Sequence, residues 1–170
     1  MRRSILFLVQ ASLIAALYAA LSILQNILIP GSATWAIQMR AAEALCILAF
    51  FTPAAIPGLA LGCLLFNLTQ VGALPLDFLI GTAASALAAA AMYLTRNLRF
   101  KNVPVLGLAM PALLNGLLIG WELSVYVGGG FWLNAAYVAA GELLVMATLG
   151  FGLYIAIRRR HIDELFRLPR

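Results

Sequence analysis

Charge is scarce in this chain: of its 170 residues 10% are Asp, Glu, Lys or Arg, while 64% are hydrophobic and the mean hydropathy is +1.01. A soluble domain of this length needs a far larger polar share to cover its outside, so the surface must face something apolar. The chain has no glycine loop with lysine to cradle a phosphate, no His/Cys metal spacing and no Ser/His/Asp set; its one histidine, His161, stands in the C-terminal tail. These absences exclude ATP hydrolysis by this chain and leave no catalytic set, and no cofactor is expected. The two halves are not repeats of each other, which argues against an alternating-access carrier built from this chain alone. Cys46 and Cys63 lie in apolar segments without a spacing motif, as small packing residues do, and not as a disulfide or metal site does.

What is present is a succession of apolar runs. A helix crossing a bilayer uses roughly 20 residues, and the pattern predicts six of them in one domain, 1–170, over approximately 5–29, 36–50, 53–69, 74–94, 103–125 and 131–157. Pro30-Gly31, Gly72, the 97–102 stretch and Gly128-Gly129-Gly130 separate them, and Thr52-Pro53 reads as an N-cap followed by proline at the first helical position. Arg2-Arg3 ahead of an apolar run resembles a signal peptide, but the run is too long for one, so a retained first helix is expected. The second run is too short to span about 30 Å as an α-helix, which places Gln38 and Arg40, in its first turns, at a wet cavity or an interface.

The basic residues fix an orientation. Arg2 and Arg3 precede the first span, Arg96, Arg99 and Lys101 lie between the fourth and fifth, and Arg158, Arg159, Arg160, Arg167 and Arg170 follow the sixth. With six spans all three groups fall on one side, which by the positive-inside rule is the cytoplasm, with both termini there and the chain in the plasma membrane. The net charge of +5 therefore reflects topology, not a nucleic-acid surface. Arg40 alone falls toward the other side.

Four of the six acids, Glu43, Asp77, Glu122 and Glu142, lie in or at the edge of apolar spans. Ionisable groups at such depth are costly and face a cavity, a partner or a substrate. Arg40 and Glu43, three residues apart, are expected to share a helix face, either as a structural ion pair or as part of a ligand pocket. Asn67, Asn115 and Asn134 are also embedded, and Trp35, Trp121 and Trp132 fall at the outer boundary, where they serve as interfacial belt residues or as stacking platforms for a planar ligand. The candidate substrate-binding set is Arg40, Glu43, Asn67, Asn115, Trp121, Glu122, Trp132, Asn134, Tyr137 and Glu142. On the first span Ala11, Ala15 and Ala19 repeat every four residues, flanked by Ser12, Ala16 and Ala20, a spacing that lets helices approach closely in lipid.

The stretch Ile37-Gln38-Met39-Arg40-Ala41-Ala42-Glu43-Ala44-Leu45, continuing through Phe50-Phe51-Thr52-Pro53-Ala54-Ala55-Ile56-Pro57-Gly58-Leu59 and Gly62-Cys63 to Asn67, is very similar to the queuosine-precursor transporter family of the QueT type. Asn115-Gly116, Gly120-Trp121-Glu122-Leu123 and Gly141-Glu142-Leu143 resemble the family pattern as well. The resemblance implies a six-helix substrate-binding S component of an energy-coupling factor (ECF) importer. Such a subunit captures a 7-deazaguanine, such as queuine or its precursors preQ1 and preQ0, on the outer side. It also implies a transmembrane scaffold partner and two cytoplasmic ATPases, with the alanine motif Ala11, Ala15 and Ala19 meeting the scaffold. A stand-alone proton- or cation-coupled carrier, or an S component for another vitamin-like solute, is the alternative. The chemistry of the residues suits the first reading: one carboxylate can accept two adjacent N–H donors of a guanine-like edge, and a second acid can meet a ligand amine.

Overall fold

The computed structural model describes residues 2–30, 32, 39–70, 76–101 and 103–166. Among the described residues the chain forms six helices in sequence. The first is Arg2–Leu28, the second, a 3₁₀-helix, is Ala41–Phe50, the third is Ala55–Thr69 and the fourth is Asp77–Thr95. The fifth is Val105–Tyr126, and the sixth runs Phe131–Arg159 with a π-helical stretch at Met146–Gly150. A short 3₁₀ turn, Ile162–Phe166, follows, and no strand occurs among the described residues. The first, fourth, fifth and sixth helices are long and apolar enough to cross a membrane, and the second and third are shorter apolar helices. The chain is thus an all-α membrane bundle, in which each expected apolar run overlaps a helix among the described residues.

The second helix departs from expectation. Its anticipated first residues, 36–38, lie outside the described residues, as do Trp35 and Gly72, and Met39 and Arg40 are not helical. Arg40 is extended (φ −91°, ψ 98°), and the helix starts with the Glu43 N–H donating to the Arg40 carbonyl at 2.9 Å. Arg40 and Glu43 therefore do not share a helix face. The 3₁₀ form rises about 2.0 Å per residue instead of 1.5, so these ten residues reach roughly 20 Å, further than an α-helix of the same length.

Hydrogen bonds between segments show which ends meet. Near the start of the first helix, Gln10 accepts from the Thr52 hydroxyl at 2.8 Å and donates to the Leu165 carbonyl at 3.2 Å. Near its end, Gln25 accepts from the Ala41 N–H at 2.7 Å and Asn26 donates to Gln70 at 2.9 Å. The Thr52 hydroxyl also accepts from the Ala54 N–H at 3.2 Å, so Thr52-Pro53 does form a capped turn, with the third helix starting at Ala55. A cleft joins Phe51 to Arg96, Arg99, Arg158 and Asp163, and another joins Arg3 to Pro53. The described basic clusters thus gather at one end of the bundle, called the basic end below.

Apart from the second, successive helices pack side by side, first on third, third on fourth, fourth on fifth and fifth on sixth, while the second helix touches all the others. Eight of its ten residues, Ala42 to Ala49, are buried, which a helix alternating small (Ala42, Ala44, Cys46, Ala49) with branched residues permits at the centre of a bundle. Glycine sets two of the close approaches. At Gly58 and Gly62 a Cβ would stand 2.8 Å from the Ala11 carbonyl oxygen and 2.6 Å from the Tyr18 Cβ, so the third helix lies directly against the first. Ala11, Ala15 and Ala19 are accordingly buried inside the bundle, whereas Ser12, Ala16 and Ala20, one column over, are exposed. The alanines expected to meet a scaffold are thus buried within this chain, Ala11 and Ala15 against its third helix.

Candidate functional site

Arg40 and the buried acids collect in the half of the bundle away from the basic end. Glu43 is wholly buried on the second helix; one carboxylate oxygen accepts a hydrogen bond from the Tyr18 hydroxyl and the other from the Cys46 thiol at 3.1 Å. The Arg40 Nη2 lies 3.6 Å from Cys63 Sγ and 3.5 Å from Asn67 Oδ1, and its guanidinium sits 5.4 Å from the centre of the Phe66 ring. Asn67 in turn donates to the Asp77 carbonyl at 2.9 Å, tying the third helix to the start of the fourth. The expected Arg40–Glu43 pairing is therefore replaced by separate partners for each, although both Glu43 and Glu142 lie within electrostatic reach of Arg40.

The sixth helix contributes Glu142, wholly buried, whose Oε1 accepts from Asn115 Nδ2 of the fifth helix at 3.0 Å. Seven residues beyond Asn115, two turns along the same face, Glu122 is also wholly buried and interacts electrostatically with Asp77. At 1.5 Å per residue the two positions stand about 10 Å apart along the helix. The site thus has two tiers: a deep one of Tyr18, Arg40, Glu43, Asn115 and Glu142, and a second one of Glu122 and Asp77 about two turns further from the basic end.

Several atoms of these tiers find no hydrogen-bond partner among the described residues: Arg40 Nε, Asn115 Oδ1, Glu142 Oε2 and both carboxylate oxygens of Glu122. Among the described residues the other such buried side-chain atom is Ser22 Oγ. A buried polar group left unmatched costs about 1–3 kcal/mol, more when charged, and most such groups in folded proteins are satisfied. Here the unmatched atoms concentrate on four of the ten candidate residues. Donors (Arg40) and acceptors (Glu122, Glu142, Asn115) are both represented, which is what a ligand edge carrying both kinds of group requires.

Four candidates are not brought into this cluster. Trp121 and Trp132 are 49% and 76% exposed, and Tyr137 is 38% exposed. Trp121 precedes buried Glu122 by one residue, and neighbouring positions on a helix point about 100° apart, so it turns outward toward lipid. Asn134 donates to the Gly128 carbonyl at 2.9 Å and so braces the turn in which Gly128 and Gly129 adopt positive φ (93° and 80°), a conformation glycine enters without strain. Its role is local.

Conversely, Tyr18, Cys46 and Cys63 belong to the polar network. Both cysteines are free, yet they do more than fill space, one donating to Glu43 and the other facing Arg40. The signal for Tyr18 lies in the first helix itself. Gln10, Tyr18, Ser22 and Gln25 recur on one helical face of an otherwise apolar span, and a tyrosine hydroxyl buried there must find an acceptor.

An all-α membrane bundle with a buried set of polar donors and acceptors, several of them unmatched, is an arrangement suited to membrane proteins that handle a small polar solute. The QueT transporter family model matches residues 8–159, and the chain belongs to that family. No curated protein and no solved structure matches it. The family carries the coarse assignment of a small-molecule transporter in a membrane.

Proposed function

We propose that this chain is the substrate-binding S component of an ECF-type importer and captures a queuosine precursor, a 7-deazaguanine, in the half of the bundle away from the basic end. The observation that carries the reading is the set of unmatched buried atoms on Arg40, Asn115, Glu122 and Glu142. In this arrangement Glu142, held by Asn115, accepts the adjacent N–H donors of the guanine-like edge, and Arg40 donates to its carbonyl. Glu122, about 10 Å away along the fifth helix, meets a cationic amine on the ligand's substituent. In this reading the chain crosses the plasma membrane six times, and the positive-inside rule supports a cytoplasmic basic end and cytoplasmic termini. Energy comes from a transmembrane scaffold and two cytoplasmic ATPases, in keeping with the lack of a nucleotide motif in the sequence.

Calorimetry on the purified chain with queuine, preQ1 and preQ0 tests the substrate: binding is expected for at least one, and no heat with any of the three would end the claim. The position of Glu122 further predicts tighter binding of the amine-bearing ligands than of the uncharged nitrile. For the scaffold contact, the outward column Ser12, Ala16 and Ala20 takes the place of the buried alanines. Ala16→Leu combined with Ala20→Leu is expected to leave ligand affinity unchanged and to reduce uptake severalfold in cells that hold the complete importer. Full uptake by the double variant would remove that face from the coupling, and gradient-driven uptake by the chain alone in proteoliposomes would show a self-sufficient carrier instead.

A further inference from the structure

We propose that the basic end carries a binding site for one anionic phospholipid, with its phosphate among the arginines and an acyl chain in an adjoining apolar groove. A cleft of about 180 Å³ there is lined by Arg96, Arg99, Arg158, Asp163, Phe51 and Tyr154, among others. Three guanidinium groups against one carboxylate leave it net positive, and guanidinium is the side-chain group best matched to a phosphate's paired oxygens. Arg99 also lines a second cleft, of about 290 Å³, whose other walls are Leu98, Phe100, Val105 and Leu106. These four side chains are 47% to 69% exposed, an apolar strip that begins where the arginines end.

The mounting is firm. The Arg96 guanidinium lies 3.8 Å from the centre of the Tyr93 ring and its Nη1 donates to the Tyr93 carbonyl, while Arg99 Nε donates to the Arg96 carbonyl at 3.4 Å. Phe100 and Val103 exchange backbone hydrogen bonds of 2.9 and 3.0 Å, with Lys101 at positive φ (46°) inside the turn. Each arginine has five N–H donors, so the bonds that orient Arg96 and Arg99 leave others to meet an anion. The location adds the source. Arg96 directly follows the fourth helix and Val105 opens the fifth, two of the membrane-crossing helices, so the cleft stands at headgroup level with the groove running toward the hydrocarbon. A free phosphate would fill the arginine cleft alone; a phospholipid fills both.

The test uses the full chain, purified in a neutral detergent. Dioleoylphosphatidylglycerol, dioleoylphosphatidylcholine or millimolar inorganic phosphate is added, and retention is read by native mass spectrometry and stability by thermal unfolding. The glycerol lipid is expected to be retained and to raise the unfolding midpoint, with the choline lipid doing neither. Arg99→Gln with Arg158→Gln should cut retention of the glycerol lipid about tenfold while its midpoint without added lipid stays at the parent value. If the double variant is poorly folded, Leu106→Glu, on the exposed groove wall, supplies an independent arm that should repel the acyl chain and lower retention. Equal retention of the two lipids, or unchanged retention in the folded variants, would overturn the site. A midpoint rise from inorganic phosphate equal to that from the glycerol lipid would reassign it to a free anion.

Discussion

Exchanging Glu142 for glutamine should weaken binding of the queuosine precursor about ten- to a hundredfold and leave the folded yield unchanged, as expected when a charge-assisted hydrogen bond worth roughly 1.5–3 kcal/mol is lost. Glutamine keeps the shape and, through its carbonyl, keeps an acceptor for Asn115 Nδ2, 3.0 Å from Glu142 Oε1 in the parent. What changes is the other oxygen, Oε2, which has no partner among the described residues and becomes an NH₂ donor. A donor there faces the N–H groups of a guanine-like edge and repels them. Calorimetry reads the affinity, and thermal unfolding in detergent reads the fold. Unchanged affinity would return Glu142 to a structural role beside Arg40. Glu43→Gln is the informative contrast: both Glu43 oxygens already serve Tyr18 and Cys46, so its first effect should be a lower unfolding temperature.

The largest effect on stability is expected at Gly120. A Cβ there would lie 2.6 Å from the Ala135 Cα, 2.7 Å from its backbone nitrogen and 2.9 Å from its Cβ. Backbone atoms have no rotamer to yield, so relief requires the fifth and sixth helices to separate. Overpacking usually costs about 1–3 kcal/mol, and Gly120→Val, which adds two further methyls, should fall at or beyond the top of that range. Fluorescence-detected size exclusion after expression should show loss of the monodisperse peak. Gly130→Ala serves as the control, since nothing lies within 4 Å of its Cβ position, and it should behave like the parent. Because Glu122 sits two residues along from Gly120, any folded fraction of Gly120→Val should also bind ligand poorly; a well-folded variant with parental affinity would show that the contact is more forgiving than its geometry.

Much of this arrangement is legible before any coordinates. Apolar run length locates all six helices, and the sidedness of arginine and lysine names the end at which Arg96, Arg99 and Arg158 gather. Glu43, Asn67, Asn115, Glu122 and Glu142 stand out because polar groups in such spans must be accounted for, and all five are buried. Other features are not readable in one dimension. Two adjacent columns of small residues run along the first helix, and composition gives no reason to prefer either as the inward one. The choice falls to Gly58 and Gly62 on another helix, which admit Ala11 and Ala15 and leave Ala16 outside. Arg40 and Glu43 look like helical neighbours by spacing, but the helix begins after Arg40, and each finds a partner more than 20 positions away, Glu43 in Tyr18 and Arg40 in Cys63 and Asn67. The aromatic candidates fail for a related reason: a tryptophan in an interfacial belt and one stacked on a ligand occupy the same sequence position, and only the rotation of the helix separates them.

That rotation has a consequence for the π-helical stretch at Met146–Gly150. Glu142 and Tyr154, both buried, are twelve positions apart, and on an unbroken α-helix advancing about 100° per residue they would point roughly 120° away from each other. A π turn takes up one additional residue without additional winding, which reduces the mismatch to about 20°. The stretch therefore works as a phase shifter on a shaft: it lets a single helix present Glu142 to the ligand half and Tyr154 to the interior of the basic half at once. Rewinding the stretch into regular α-helix with every residue kept would leave each half intact and set the two out of step.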